Sequence, residues 1–106
     1  MPGLKDIFMV IRIVRMHFRA DGVETFLKVF NENKESIRNF PGCSHMELMK
    51  DLRALNTFVT ISHWNSTDDL DAYRHSPLFR SVWSRTKPLF SAKTEAFTLE
   101  EFSSTD

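Results

Sequence analysis

The sequence predicts an α+β fold in which β-α-β-β-α-β elements form one four-stranded antiparallel sheet with helices on one side. Three observations predict it. A long run of β-branched and apolar residues opens the chain, two shorter runs are joined by a brief polar turn, and two helical patterns stand between the runs.

Residues 7–18 (IFMVIRIVRMHF) contain no Gly or Pro and read as a strand. Alternation puts Val10, Arg12, Val14, Met16 and Phe18 on one face and Met9, Ile11, Ile13, Arg15 and His17 on the other. Both faces are largely apolar, so both should be covered. A helix should then start at Asp21, with Asp21 as cap and Glu24 three residues later completing a capping box. Phe26, Val29, Phe30, Asn33 and Ile37 follow at 3.6-residue spacing and form its inward stripe. It stops before Pro41-Gly42, because a residue preceding proline is pushed toward extended backbone.

Residues 44–50 and 57–64 read as a hairpin pair of strands, joined by a turn over residues 51–56. Ser66 caps the next helix, which carries acids in its first turn and Leu70 and Tyr73 inward. Ser76-Pro77 restarts it with Pro at the first helical position. Phe79, Val82, Trp83 and Thr86 form the inner stripe, and Pro88 ends the helix. Residues 94–102 read as a fourth, edge strand. This is the ferredoxin-like split arrangement. Helices cover one sheet face, and the apolar character of the other predicts that a second copy covers it.

Composition excludes several functions. The chain has 106 residues with a formal net charge of zero, which argues against a general nucleic-acid binder or a polybasic membrane binder. One domain is expected over residues 1–106, with its core at about 7–102 and short polar ends at 1–6 and 103–106. One cysteine, Cys43, makes neither an internal disulfide nor a multi-cysteine metal site, and it reads as a small buried side chain. Neither a signal-peptide pattern nor a run of about 18 apolar residues is present, so a cytoplasmic location is expected. The sequence has no GxGxxG, Walker A, GxSxG or H-E-x-x-H pattern. Arg74, Arg80, Arg85, Lys87 and Lys93 form a stretch without acids, read either as a pull on anionic substrates or as a solvated helix face. Ten Phe against two Trp and one Tyr is a surplus for a core of this size. Phe26, Phe30, Phe79, Phe18 and Phe58 all fall on faces that converge between sheet and helices.

Three segments carry a family resemblance. They are Phe40-Pro41-Gly42-Cys43 between the first helix and second strand, His63-Trp64-Asn65-Ser66 at the end of the third strand, and residues 70–79 (LDAYRHSPLF) across the helix break. In order and spacing, over about residues 9–99, the chain resembles the antibiotic biosynthesis monooxygenase family of dimeric α/β barrels. The resemblance implies a homodimer whose sheets face each other, and a pocket in each subunit between sheet and helices. Members of that family oxygenate electron-rich phenols and quinols without metal or flavin, or degrade heme, or have no assigned activity, so the fold does not settle the function.

The same comparison implies site residues. Trp64 would stand at the pocket mouth, its indole N–H donating to a substrate oxygen, or else plug the core. Tyr73 stands where many relatives carry a helix histidine; its hydroxyl would orient a phenolic substrate, or it is a core tyrosine. Ser62 stands where many carry a Glu. Trp83 occupies the position of the iron-ligating histidine of heme-degrading relatives, and indole offers no lone pair to a metal. Their first-strand asparagine is also missing, the candidate positions being Val14 and Arg15, so heme is not expected. His75 at the helix break either reaches inward or faces solvent. Arg15, His17 and His63 share the face opposite Phe18 and Trp64. They lie between subunits if that face is the dimer face, or line the pocket as a base-and-cation site if the faces are inverted.

Dioxygen is a triplet and reacts slowly with closed-shell molecules, so an oxygenase without a cofactor needs a substrate that is itself a reductant. The expected function is a cofactor-independent monooxygenase with dioxygen as co-substrate, acting on a quinol or polyphenol. Trp64, Tyr73, Arg15 and His17 are the catalytic candidates, and Phe18, Phe58, Phe79, Trp83 and His75 the substrate-binding ones. No metal site is expected. The alternative is a non-enzymatic dimer that binds a small apolar or aromatic ligand, or only dimerises.

Overall fold

The β-branched pairs Val10-Ile11 and Ile13-Val14 favour extended backbone in β1 (Val10–His17), a central strand of the sheet. The computed structural model describes residues 9–103. Ile7 and Phe8, the first positions of the expected strand, lie outside the described residues, as do the polar ends 1–6 and 104–106. β1 pairs antiparallel with β3 (Thr57–Trp64) on one side and β4 (Glu95–Glu100) on the other. β2 (Cys43–Lys50) pairs with β3, so the sheet order is β2-β3-β1-β4, all antiparallel. The fold is the expected α+β, ferredoxin-like arrangement. β4 is an edge strand, as β2 is on the other side, and it starts one residue later than expected and ends at Glu100.

The hairpin turn between β2 and β3 is held by Asp51, whose Oδ1 accepts the backbone N–H groups of Arg53 (2.8 Å) and Ala54 (3.0 Å). α1 (Val23–Arg38) is preceded by a 3-10 turn over Ala20–Gly22. The expected capping box at Asp21 does not form: Gly22 is the N-cap, and the Asp21 carboxylate accepts from Arg19 Nε at 3.1 Å. The chain turns off β1 through the 3-10 turn, so the helix begins after Asp21 has already committed to that bond. The α1 stripe buries Phe26, Val29, Phe30 and Ile37. α2 (Thr67–Arg74) and α3 (Pro77–Thr86) are capped as read: Ser66 Oγ accepts from Asp69 N at 3.0 Å, and Ser76 Oγ accepts from Phe79 N at 3.1 Å. A further 3-10 turn, Lys87–Leu89, holds Pro88.

The Pro41-Gly42 turn between α1 and β2 docks on α2. Gly42 has φ of 89°, and a Cβ there would collide with the Asp69 side chain. Glycine satisfies both the backbone and the close approach. Cys43 beside it is buried, and burial pushes its thiol pKa up.

The helices pack on the face of the sheet that carries the even-numbered residues of β1. One buried cluster joins Met16, Phe18, Phe26, Phe30 and Phe58, and a second joins Val10, Cys43, Trp64 and Leu70. The other face carries Ile11, Ile13, Val59 and Ile61, flanked on β4 by half-exposed Phe97 and Leu99. No helix among the described residues covers it.

Candidate functional site

A cavity of about 360 Å³ lies between the helices and the sheet, bordered by members of both buried clusters. Its floor is sheet: Arg12, Val14 and Met16 from β1, Thr60 and Ser62 from β3, Met46 from β2. Strand alternation puts these side chains on one face. Its roof is helix: Phe26, Phe30 and Ile37 from α1, Leu70, Tyr73 and Arg74 from α2. α3 contributes Phe79, Val82, Trp83 and Thr86, the whole stripe that its spacing predicts. Thr94 and Ala96 close the β4 side.

The walls are mostly apolar, and aromatic rings mark the helix side. Tyr73 stacks on Trp64 at 5.0 Å between centroids and meets Phe79 edge-on at 5.2 Å. Phe79 stacks on Trp83 at 5.9 Å, and Trp83 meets Phe90, which touches Phe18. An unbroken series of rings thus runs from one buried cluster to the other along the helices.

Few polar groups reach this space. Burial, helped by the Cys43 charge, pushes the Tyr73 phenol well above the usual tyrosine range, so it is a neutral donor. Arg12 donates from its guanidinium to Thr98 Oγ1 at 2.6 Å. Burial first, and then the Arg74 charge, hold its pKa below that of a free arginine, and Asp71 partly opposes this. Arg74 pairs with Asp71 at a loose 3.9 Å. Thr94 Oγ1 is buried with no hydrogen-bond partner among the described residues. The described wall contains no Asp, Glu or His.

Tyr73, Phe79 and Trp83 line the cavity, as their helix positions suggested. Trp64 does not: it is fully buried, and its indole N–H is taken by Ser62 Oγ at 2.9 Å. Phe18 and Phe58 also leave the wall, because they pack solidly with Phe26 at the end of β1. Of the five converging Phe, only Phe26, Phe30 and Phe79 enclose space. His75 is exposed on the end of α2, its Nδ1 within 2.7 Å of the Asp71 carbonyl, and it does not reach inward.

Arg15 and His17 stand on the opposite side of the sheet, away from the cavity. Arg15 pairs with Glu95 at 2.8 Å and Asp51 at 3.1 Å; His17 lies 2.8 Å from the same Glu95 oxygen and 3.0 Å from Thr57 Oγ1. His63 is on that face too, 4.7 Å from the His45 ring, which reaches Glu47. These three residues thus stand on the face away from the cavity, and a base-and-cation site in the pocket from them is set aside. Sequence reasoning gave no role to Arg12 or Thr94, and Arg74 entered only within the basic stretch read as a pull on anionic substrates or a solvated helix face. The available signal was Arg12 itself, a charge in the middle of the inward, otherwise apolar face of β1.

No three His, Cys, Asp or Glu side chains gather as a metal-binding group among the described residues, and no described helix is long and apolar enough to cross a membrane. Solved structures share the fold. An antibiotic biosynthesis monooxygenase superposes with a TM-score of 0.82 at 17% identity, over 89% of this chain and 99% of that one. A conserved protein from Methanosarcina mazei Go1 gives 0.84 at 13% identity, over 92% and 96%. A Mycobacterium tuberculosis protein gives 0.83 at 18% identity, over 92% and 99%. No curated protein matches the sequence. The family model for antibiotic biosynthesis monooxygenases matches residues 9–83, from the start of β1 into α3. With that match spanning most of the chain, the protein belongs to the antibiotic biosynthesis monooxygenase family.

Proposed function

We propose that the protein is a cofactor-independent monooxygenase for an electron-rich aromatic substrate, a quinol or polyphenol. The observation that carries this reading is the aromatic enclosure with one neutral phenol: Phe26, Phe30, Phe79 and Trp83 around a cavity of about 360 Å³, with Tyr73 on its wall. Such a space fits a flat aromatic body against apolar walls.

In this reading the substrate supplies the electrons. Its deprotonated form passes one electron to O₂, giving a substrate radical and superoxide. The pair combines to form a C–O bond, and the hydroperoxide loses water to leave a carbonyl. One O₂ is consumed, with one oxygen atom ending in product and one in water. The chain's task is to cage the radical pair, and Tyr73 donates a hydrogen bond to the oxygen that carries charge. Trp83 holds the ring in place. We draw no step through heme: Trp83 offers iron no lone pair, and all four histidines lie off the cavity wall.

We further propose that two copies pair through the open sheet faces into a barrel, with Ile13, Ile61 and Phe97 at the centre of the contact. A ligand-binding dimer without activity is the second reading, and the wall without a carboxylate or imidazole favours it. Oxygen uptake with a panel of hydroquinones and anthrone-like phenols decides between the two. The oxygenase reading expects uptake above autoxidation that falls in Tyr73→Phe and Trp83→Ala; uptake at the autoxidation rate, unchanged in both variants, overturns it.

A further inference from the structure

The polar end of the cavity has a charge imbalance that the aromatic enclosure does not explain. Arg12 projects from the sheet floor and Arg74 from α2, and both border the same space. Asp71 lies against Arg74, so one carboxylate faces two guanidiniums. No carboxylate among the described residues comes within ion-pair distance of Arg12; its side-chain bond goes to the neutral Thr98 hydroxyl. A half-buried cation without an anion is costly unless something supplies the charge. Arginine does not escape that cost by losing its proton. On the β4 side of the same cavity, Thr94 Oγ1 is a second buried polar group, with no hydrogen-bond partner among the described residues.

From this arrangement we infer that the cavity takes an amphipathic anion, with an aromatic body between Phe79, Trp83 and Phe30 and one negatively charged oxygen, carboxylate or phenolate, on Arg12. The inference rests on the oxygenase reading for nothing but the aromatic shape of the ligand, and it names the class of substrate that reading leaves open. It also accounts for the absence of a base. A wall without carboxylate or imidazole has no group to remove a proton, so the ligand enters already ionised. The fork of Arg12 matches two oxygens of a carboxylate or the single oxygen of a phenolate. Arg74 adds a second positive charge at the same end, and its Asp71 partner keeps it the weaker of the two.

Titrations by tryptophan fluorescence and calorimetry test this with 2-naphthoate, methyl 2-naphthoate and 2-naphthol above and below its pKa. The expected result is 2-naphthoate binding at least about tenfold more tightly than its neutral methyl ester, the usual scale for a hydrogen bond to a charged group. Arg12→Met removes that preference while leaving ester affinity in place, Arg12→Lys keeps part of it, and Arg74→Met has a smaller effect. Naphthol that tightens on ionisation assigns phenolate to the site, and naphthol that does not assigns carboxylate. Retained ester binding in Arg12→Met shows the cavity still formed. Equal wild-type affinity for acid and ester overturns the inference, as does an Arg12→Met variant that weakens both alike. No oxygen is consumed in these titrations, so anion preference without oxygenase activity removes the reaction and keeps the site.

Discussion

The Trp64 indole N–H donates to Ser62 Oγ at 2.9 Å, two residues back on the inward side of β3. Trp64 is fully buried, so this serine hydroxyl is what keeps the indole N–H from being an orphan. Ser62→Ala should cost about 1–3 kcal/mol, the usual penalty for a buried donor left unpaired. Trp64→Phe removes the donor and ring volume together, and the double variant should cost less than the sum of the singles because no orphan remains. Urea unfolding midpoints of the four proteins check this; strict additivity would show that the bond contributes nothing.

Gly42 gives a sharper test of the turn that docks on α2. Its φ of 89° and the nearness of Asp69 both oppose a side chain. Gly42→Ala should destabilise by about 1–3 kcal/mol through backbone strain alone. In Gly42→Ala/Asp69→Gly the collision is relieved, so relative to Asp69→Gly alone, which loses the Ser66 Oγ–Asp69 Oδ2 hydrogen bond, only the backbone part of the loss should persist. Thermal unfolding of the three variants separates the two contributions.

Tyr73 should leave a mark at high pH. Burial raises its folded-state pKa, so the native protein holds the phenol's proton after the unfolded chain has begun to release it. Stability is then unaffected by Tyr73 ionisation below about pH 10, the ordinary tyrosine value, and falls as pH rises beyond it. Tyr73→Phe should flatten that alkaline limb, as read from unfolding midpoints between pH 8 and pH 11.5. In the proposed reaction the same variant should lower kcat while leaving its pH profile below pH 10 unmoved.

On the opposite side of the sheet the sign is reversed. Hydrogen bonds from His17 and then Arg15 hold the Glu95 carboxyl below its usual range, and backbone N–H of Arg53 and then Arg15 do so for Asp51. Depressed carboxylates stabilise the fold above their unfolded pKa, about 4, and lose that contribution as pH falls through the lower folded value. Glu95→Gln and Asp51→Asn should each reduce the acid dependence of the unfolding midpoint between pH 5 and pH 2. Both carboxylates are on the surface, so the effect is small and should shrink in high salt.

The alternation that separates these two sides was readable from residue order alone, as were the element order, both serine caps and the α3 stripe. β3 spans Thr57–Trp64, the bounds its residue pattern gave. Depth was not readable. Trp64 and Ser62 share a face, yet the indole sits beneath the wall and the serine in it, a matter of how α2 packs on the sheet. Phe18 and Phe58 have the right side and the wrong end. Asp21 looked like a cap because local pattern favours it, and the 3-10 turn that displaced it depends on the chain path out of β1. Arg12 was on the correct face from the start, but a lone charge in a strand is so often solvated that its register gave no reason to single it out.

The open side of the sheet supplies a further prediction. Ile61→Asp and Phe97→Asp each put a carboxylate into the apolar centre flanked by Ile13. If two copies pair there, the dimer dissociation constant should rise by at least about 30-fold, the scale of a central interface residue. Sedimentation measures it, and unchanged mass in both variants would remove the paired-sheet arrangement. The cavity faces the other way, so the 2-naphthoate affinity of the resulting monomer should stay within about threefold of wild type, ordinary additivity for distant sites.

β1 carries both surfaces at once, since consecutive side chains of its eight residues belong alternately to the helix-covered side, where Arg12, Val14 and Met16 line the cavity, and to the open side. The number of residues in this strand is as constrained as their type. Deleting or inserting a single residue in β1 would trade Arg12 and Val14 for Ile11 and Ile13, wetting the pairing surface and greasing the ligand cradle in one event. Length change is tolerable instead in the β2–β3 turn, where Leu52 and Leu55 are almost fully exposed and do not line the cavity. Lineages of this chain should therefore vary in length at residues 52–55 and stay fixed in length from Val10 to His17.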